Sequence, residues 1–143
     1  MEIDLLHEPV AMVVEDHEAL RGALCDWLGK SFRRCRVCEA GSVEDALKIV
    51  AEENVDIMLM DVKLPGMSGI EGVRAIHDRA PHVSVVIVSN FDDATHRAAA
   101  KEAGACAFVA KRTIHRELPQ IMKELLVHAV FSKNPGLSAW VDG

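Results

Sequence analysis

Five short apolar runs alternate along the chain with five helical patterns, which predicts an α/β domain built as a doubly wound, five-stranded parallel sheet with five helices. The third and fourth runs, VDIMLMD (55–61) and VSVVIVS (83–89), are apolar on both alternating faces. Strands of that kind lie inside a parallel sheet with helices on both sides, joined by right-handed crossovers. The length, 143 residues, suits one domain, and a chain of this size buries roughly 68% of its extended surface without metal or disulfide staples.

The elements follow in order. PVAMVVED (9–16) is the first strand and ends in two acids. Leu20, Ala23, Leu24, Trp27 and Leu28 recur at the spacing of one helical face, with Trp27 read as core. RVCEAG (36–41) is the second strand. Ser42, followed by Glu44 and Asp45, is a helix start whose stripe is Val43, Ala46, Leu47 and Val50. After the third strand, SGIEGVRAIHDRA (68–80) is helical through Ile70, Val73 and Ile76 and stops at Pro81. After the fourth, DDATHRAAAKEAG (92–104) is an alanine-rich helix ended by Gly104, and ACAFVAK (105–111) is the fifth strand. The last helix carries Ile121, Met122, Leu125, Leu126 and Ala129. Pro119 fits only a first turn, so this helix is expected to begin no earlier than about 115.

Composition removes several function classes. No apolar run approaches the ~18 uncharged residues of a membrane span, and the acidic start MEIDLLHEPV lacks the order of a secretion signal. A cytoplasmic protein without membrane contact is the expectation. The net charge of −6 and the scatter of the basic residues argue against direct nucleic-acid binding. Arg33, Arg34 and Arg36 read as a solvated edge. Cys35 and Cys38 have CxxC spacing, but residues three apart on a strand face opposite ways, and no second CxxC exists. All four cysteines are read as reduced, packed thiols. There is no GxGxxG and no GxxxxGK[ST].

In open parallel sheets the reactive groups gather beyond the carboxyl ends of the strands, where the winding reverses. There the first strand ends in Glu15 and Asp16, the third in Asp61, the fourth in Ser89 and the fifth in Lys111. Three carboxylates brought together repel unless a cation joins them. Oxygen donors without His or Cys suit a hard ion such as Mg2+. Carboxylates, Mg2+ and a lysine together can handle a phosphoryl group, with one carboxylate as nucleophile and the ammonium and hydroxyl on the phosphoryl oxygens.

On Glu15-Asp16, on Asp61 in DVKLPGMSG, on Ser89 in IVSN and on Lys111 in GACAFVAK, the chain resembles the receiver domain of two-component response regulators over about residues 9–130. LPGMSG and GACAFVAK look most like the subfamily carrying helix-turn-helix output domains. The resemblance implies a flavodoxin-like strand order, 2-1-3-4-5. It implies that Asp61 accepts phosphate from a sensor histidine kinase or phosphotransfer protein, in a phosphoacceptor signalling domain and not an enzyme with its own substrate. Asp16 and Asp61 would ligate Mg2+, Glu15 through water, with the Lys63 carbonyl completing the set. Lys111 would pair with the phosphoryl group, Ser89 would move toward it, and Phe108 would change rotamer, altering the surface of the fourth helix, fifth strand and fifth helix. A homodimer is among the implied partners. An aspartyl-phosphate phosphatase would share the nucleophile, but its second acid two residues on is Lys63 here.

Four positions depart from the family's common pattern. Glu15 stands for Asp, Phe108 for Tyr, Asn90 for a small residue, and Arg112 for the proline after Lys111, so a cis peptide there is not assumed. Phe91 is expected to shield the acyl phosphate from water, and the turn at Pro65-Gly66 to leave the Asp61 carboxylate exposed. Residues 1–8 read as an N-terminal extension and 131–143 as a tail or linker. The expected output is the receiver half of a DNA-binding transcription regulator; the alternative is a stand-alone receiver acting through protein contacts.

Overall fold

The structure, a computed structural model, describes residues 8–133. The strands are β1 (Val10–Val14), β2 (Arg36–Ala40), β3 (Ile57–Asp61), β4 (Ser84–Ser89) and β5 (Ala107–Ala110). They alternate with α1 (Glu18–Ser31), α2 (Val43–Glu52), α3 (Gly69–Arg79), α4 (Ala94–Ala103) and α5 (Ile114–Lys133). All pairings are parallel and the strand order is 2-1-3-4-5, as expected. The chain leaves β1 toward β2 on one side and returns through β3 on the other. That reversal opens a crevice at the carboxyl ends of β1 and β3.

Side-chain alternation divides the core into two layers. Met12, Val14, Met58, Met60, Val85 and Ile87 face the side covered by Val43 and Ala46 of α2, Val73 and Ile76 of α3, and Ala100 and Ala103 of α4. Ala11, Val13, Ile57, Leu59, Val86 and Val88 face Leu28 of α1 and Leu118 and Met122 of α5. Every residue of β1 and β3 is buried, as strands covered on both sides must be.

Helix boundaries follow local chemistry. Ser42, Ser68 and Asp93 cap α2, α3 and α4 by accepting from backbone N–H groups three residues on. Gly104, in the left-handed region at φ 112°, closes α4. The expected start of the last helix is corrected. A 3-10 turn at Lys111–Thr113 leads into α5 at Ile114, so Pro119 lies inside the helix and not in its first turn. Proline removes the bond to the carbonyl four residues back; that carbonyl belongs to His115, an exposed residue that water can reach.

Two core expectations also shift. Ala23 faces solvent, and Trp27 is half-buried, its ring edge-on to Phe32 at 5.7 Å. All four cysteines are free. Cys35 packs in the α1/α5 layer and Cys38 against the other, so the sheet separates them. Burial pushes the Cys25 and Cys35 thiols up to about 11. Cys106 is exposed, contrary to the packed reading. Of the expected extension and tail, only Glu8 and residues 131–133 fall within the described residues, and α5 continues past 130 to Lys133. No helix among the described residues is long and apolar enough to cross a membrane.

Candidate functional site

The site starts where β1 runs out. Glu15 is buried, its N–H donating to the Ala40 carbonyl at 3.1 Å and its Oε2 accepting from the His17 N–H at 3.1 Å. Asp16 is exposed beside it. His17 is the cap of α1, with Nδ1 accepting from Leu20 N–H at 3.2 Å, and so stands just outside the helix. One α1 turn on, Arg21 donates from Nη1 to the Glu15 carbonyl at 2.8 Å and from Nε to Glu39 Oε1 at 2.8 Å.

Asp61 ends β3 and is only 8% exposed, so the expectation of an exposed carboxylate is corrected. Two contacts enclose it. Lys111 closes the carboxylate side, and α3 is butted against the backbone: a Cβ on Gly69 would lie 1.9 Å from the Asp61 carbonyl oxygen. Only a residue without a side chain fits there. The intervening loop turns at Gly66 (φ 77°), where Glu44 of α2 accepts from the Met67 N–H at 3.2 Å.

The Lys111 ammonium bridges Glu15 Oε1 at 2.9 Å and Asp61 Oδ2 at 3.1 Å. Burial alone would pull its pKa down. The hydrogen bonds and charges of the two carboxylates outweigh that and hold it above the ordinary lysine value. One carboxylate oxygen from each of Glu15, Asp16 and Asp61 lies within 4.8 Å of the others, the one such cluster of His, Cys, Asp and Glu among the described residues. This donor set suits a hard cation.

Apart from Lys63, the remaining expected residues lie on β4 and β5 and in the segments that follow them. Ser89 is fully buried, its Oγ accepting from the Phe91 N–H at 2.9 Å. Phe91 is 40% exposed, stacked on His96 at 5.3 Å, with Lys63 Nζ 5.0 Å from its ring centroid. Asn90 is exposed. Phe108 is half-buried against the α2–α4 layer, with the Arg97 guanidinium 4.7 Å from its ring centroid. Arg112, joined by a trans peptide, pairs with Asp92 at 2.5 Å and so ties the β4–α4 loop to the turn after Lys111.

Arg21 and Gly69 were not singled out from the sequence, and Glu44 was read only as an acid at a helix start. The Ser68-Gly69 pair opening a helix was a signal for Gly69; Arg21 bonds the Glu15 carbonyl and the Glu39 carboxylate, and Glu44 the Met67 N–H, partners that only folding brings within reach.

Comparisons with known proteins agree with this geometry. The response regulator receiver domain model matches residues 11–123. The chain is 32% identical over 124 residues to the transcriptional activator protein ExaE of Pseudomonas putida, covering 87% of this chain and 58% of that protein. It spans about half the length of the curated relatives it matches. Among solved structures, a LuxR-family two-component response regulator from Aurantimonas sp. SI85-9A1 superposes with a TM-score of 0.78 at 28% identity, covering 85% of this chain and 87% of that one. Response regulator protein TrrA from Thermotoga maritima, solved in complex with Mg2+ and BeF, gives 0.73 at 24% identity, covering 82% and 98%. On the matched family model, the strand order and the strand-end cluster together, the chain belongs to the response regulator receiver domain family.

Proposed function

We propose that this chain takes a phosphoryl group onto Asp61 from a sensor histidine kinase or phosphotransfer protein, with Mg2+, and passes the change to its α4–β5–α5 surface. The observation that carries this is the convergence of Glu15, Asp16, Asp61 and Lys111 from the ends of three strands. Asp16 and Asp61 would hold the ion directly, Glu15 through water, and Lys63 through its backbone carbonyl. When bound, Mg2+ neutralises charge on the transferring phosphoryl oxygens.

The chain's own residues account for the rest of the transfer. An Asp61 oxygen attacks phosphorus and forms the O–P bond as the donor's N–P bond breaks; the imidazole leaves with the electron pair and takes a proton from water. Lys111, already on Asp61, turns its ammonium to the phosphoryl oxygens. The Ser89 hydroxyl accepts one bond from Phe91 and keeps its own hydrogen to donate. As that loop moves, Phe108 changes rotamer and gives up the Arg97 guanidinium over its face. The domain is a signalling module, and gain and loss of phosphate through its own residues are part of the proposal.

The output is proposed to be transcriptional: the relatives are named as activators and are about twice as long as the part matched here. Four free thiols fit a reducing, cytoplasmic setting. Incubation with acetyl phosphate and Mg2+ tests the central step. The expected result is a mass gain of one phosphoryl group, absent in Asp61→Asn and in EDTA. A gain independent of Asp61, or none under saturating donor and Mg2+, would refute the proposal.

A further inference from the structure

The Glu15–Asp16 peptide is held from behind by one side chain. Arg21, 17% exposed, spans the Glu15 backbone carbonyl and the Glu39 carboxylate with two bonds of 2.8 Å. Glu39 lies on β2, the edge strand beside β1, and the neighbouring Ala40 carbonyl accepts the Glu15 N–H at 3.1 Å. Gly41 lies against the guanidinium, where a Cβ would make an ordinary van der Waals contact of 3.4 Å with Nη1. The carbonyl that Arg21 grips belongs to the peptide leading into Asp16. Fixing that plane fixes the direction in which Asp16 leaves the strand, while Glu15 is fixed separately by Lys111 and the His17 N–H.

We propose that Arg21 is a positioning residue for the Mg2+ site, orienting Asp16 through the Glu15 carbonyl and braced by Glu39; this rests on the Mg2+ reading above. Two physical effects of removing it have opposite signs. As a nearby cation Arg21 opposes a divalent ion, so its loss would tighten binding if charge alone mattered. As a brace it holds the ligand loop in one geometry, so its loss weakens binding. Partners that orient metal ligands change affinity by about 10–100-fold. Arg21 works through a backbone carbonyl and not on a ligand atom, which places its effect at the lower end, about tenfold.

The test is calorimetric titration of the full chain with Mg2+ at constant ionic strength, with apo folding checked by circular dichroism. Arg21→Gln is expected to bind about tenfold more weakly. Arg21→Lys keeps the charge but cannot span two acceptors as a planar fork does, and recovers only part of the loss. Lys30→Gln, which removes another α1 cation paired with Asp26, is expected to bind as the unaltered chain does. Should Arg21→Gln fail to fold, Arg21→Lys decides by the same criterion of weakened binding. Equal or tighter Mg2+ binding in the folded Arg21 variant would overturn the inference alone. No Mg2+ binding by the unaltered chain would overturn both it and the proposed function.

Discussion

Lys111→Met keeps a long apolar stem and removes the ammonium that bridges two carboxylates. The Glu15 and Asp61 side chains are 4% and 10% exposed, so neither regains water by a small rotation. At an effective dielectric constant of about 20, a pair 2.9 Å apart attracts by about 6 kcal/mol. Desolvation of the charges offsets most of that in the intact protein. Removing one partner nevertheless leaves buried charge uncompensated, at about 3–5 kcal/mol. Urea unfolding at pH 8 in EDTA is expected to show a loss of that size with an unchanged slope. Mg2+ is expected to stabilise Lys111→Met more than the unaltered chain, because it restores a cation where none remains. The pH dependence has a definite sign. The folded pKa of Lys111 lies above its unfolded value of 10.5, so its contribution is complete below pH 10.5 and is lost as pH rises through the folded value. A loss under about 1 kcal/mol in EDTA would show that the bridge does not govern local stability and refute the reasoning.

Phe91→Ala is expected to shorten the acyl phosphate lifetime several-fold, read from decay of the labelled chain, since it removes the partly exposed ring between Lys63 and His96. An unchanged decay rate would discard the shielding role. Gly69→Ala drives a methyl to 1.9 Å from the Asp61 carbonyl, and neither backbone can yield easily. A cost of about 3 kcal/mol is expected, a fall of roughly 10 °C in Tm for a domain of this size; a Tm within about 2 °C of the unaltered chain contradicts that close approach.

The two-faced apolar runs in β3 and β4 made the parallel sheet legible, because burial on both sides leaves no polar alternation to mistake. The acids and lysine at strand ends were legible for a similar reason: topology alone brings the ends of β1, β3 and β5 to one edge. What local pattern could not carry were contacts set by tertiary packing. The Gly69 approach to Asp61 and the Arg21 grip on Glu15 depend on how helices dock, and the burial of Asp61 depends on where Lys111 comes to rest. Pro119 misled because the rule against internal proline counts the lost bond to the carbonyl four residues back as a cost that ends the helix. In the folded chain the orphaned carbonyl belongs to exposed His115, so the helix runs through. Ala23 fitted the α1 stripe by spacing but lies at its margin, where a small side chain gains little by turning inward.

The Asp92–Arg112 pair is a tether between the loop that follows Ser89, the last residue of β4, and the turn that begins at Lys111. Arg112 is mostly exposed, and exposed pairs contribute little to stability and are screened by salt. Such a tether constrains direction more than energy. While closed it makes the loop after the hydroxyl and the turn that bears the ammonium travel together. Because water can replace either partner, it opens without a large barrier. The two loops are thus kept in register during small fluctuations and released for large ones, so the pair behaves as a guide rail and not as a lock.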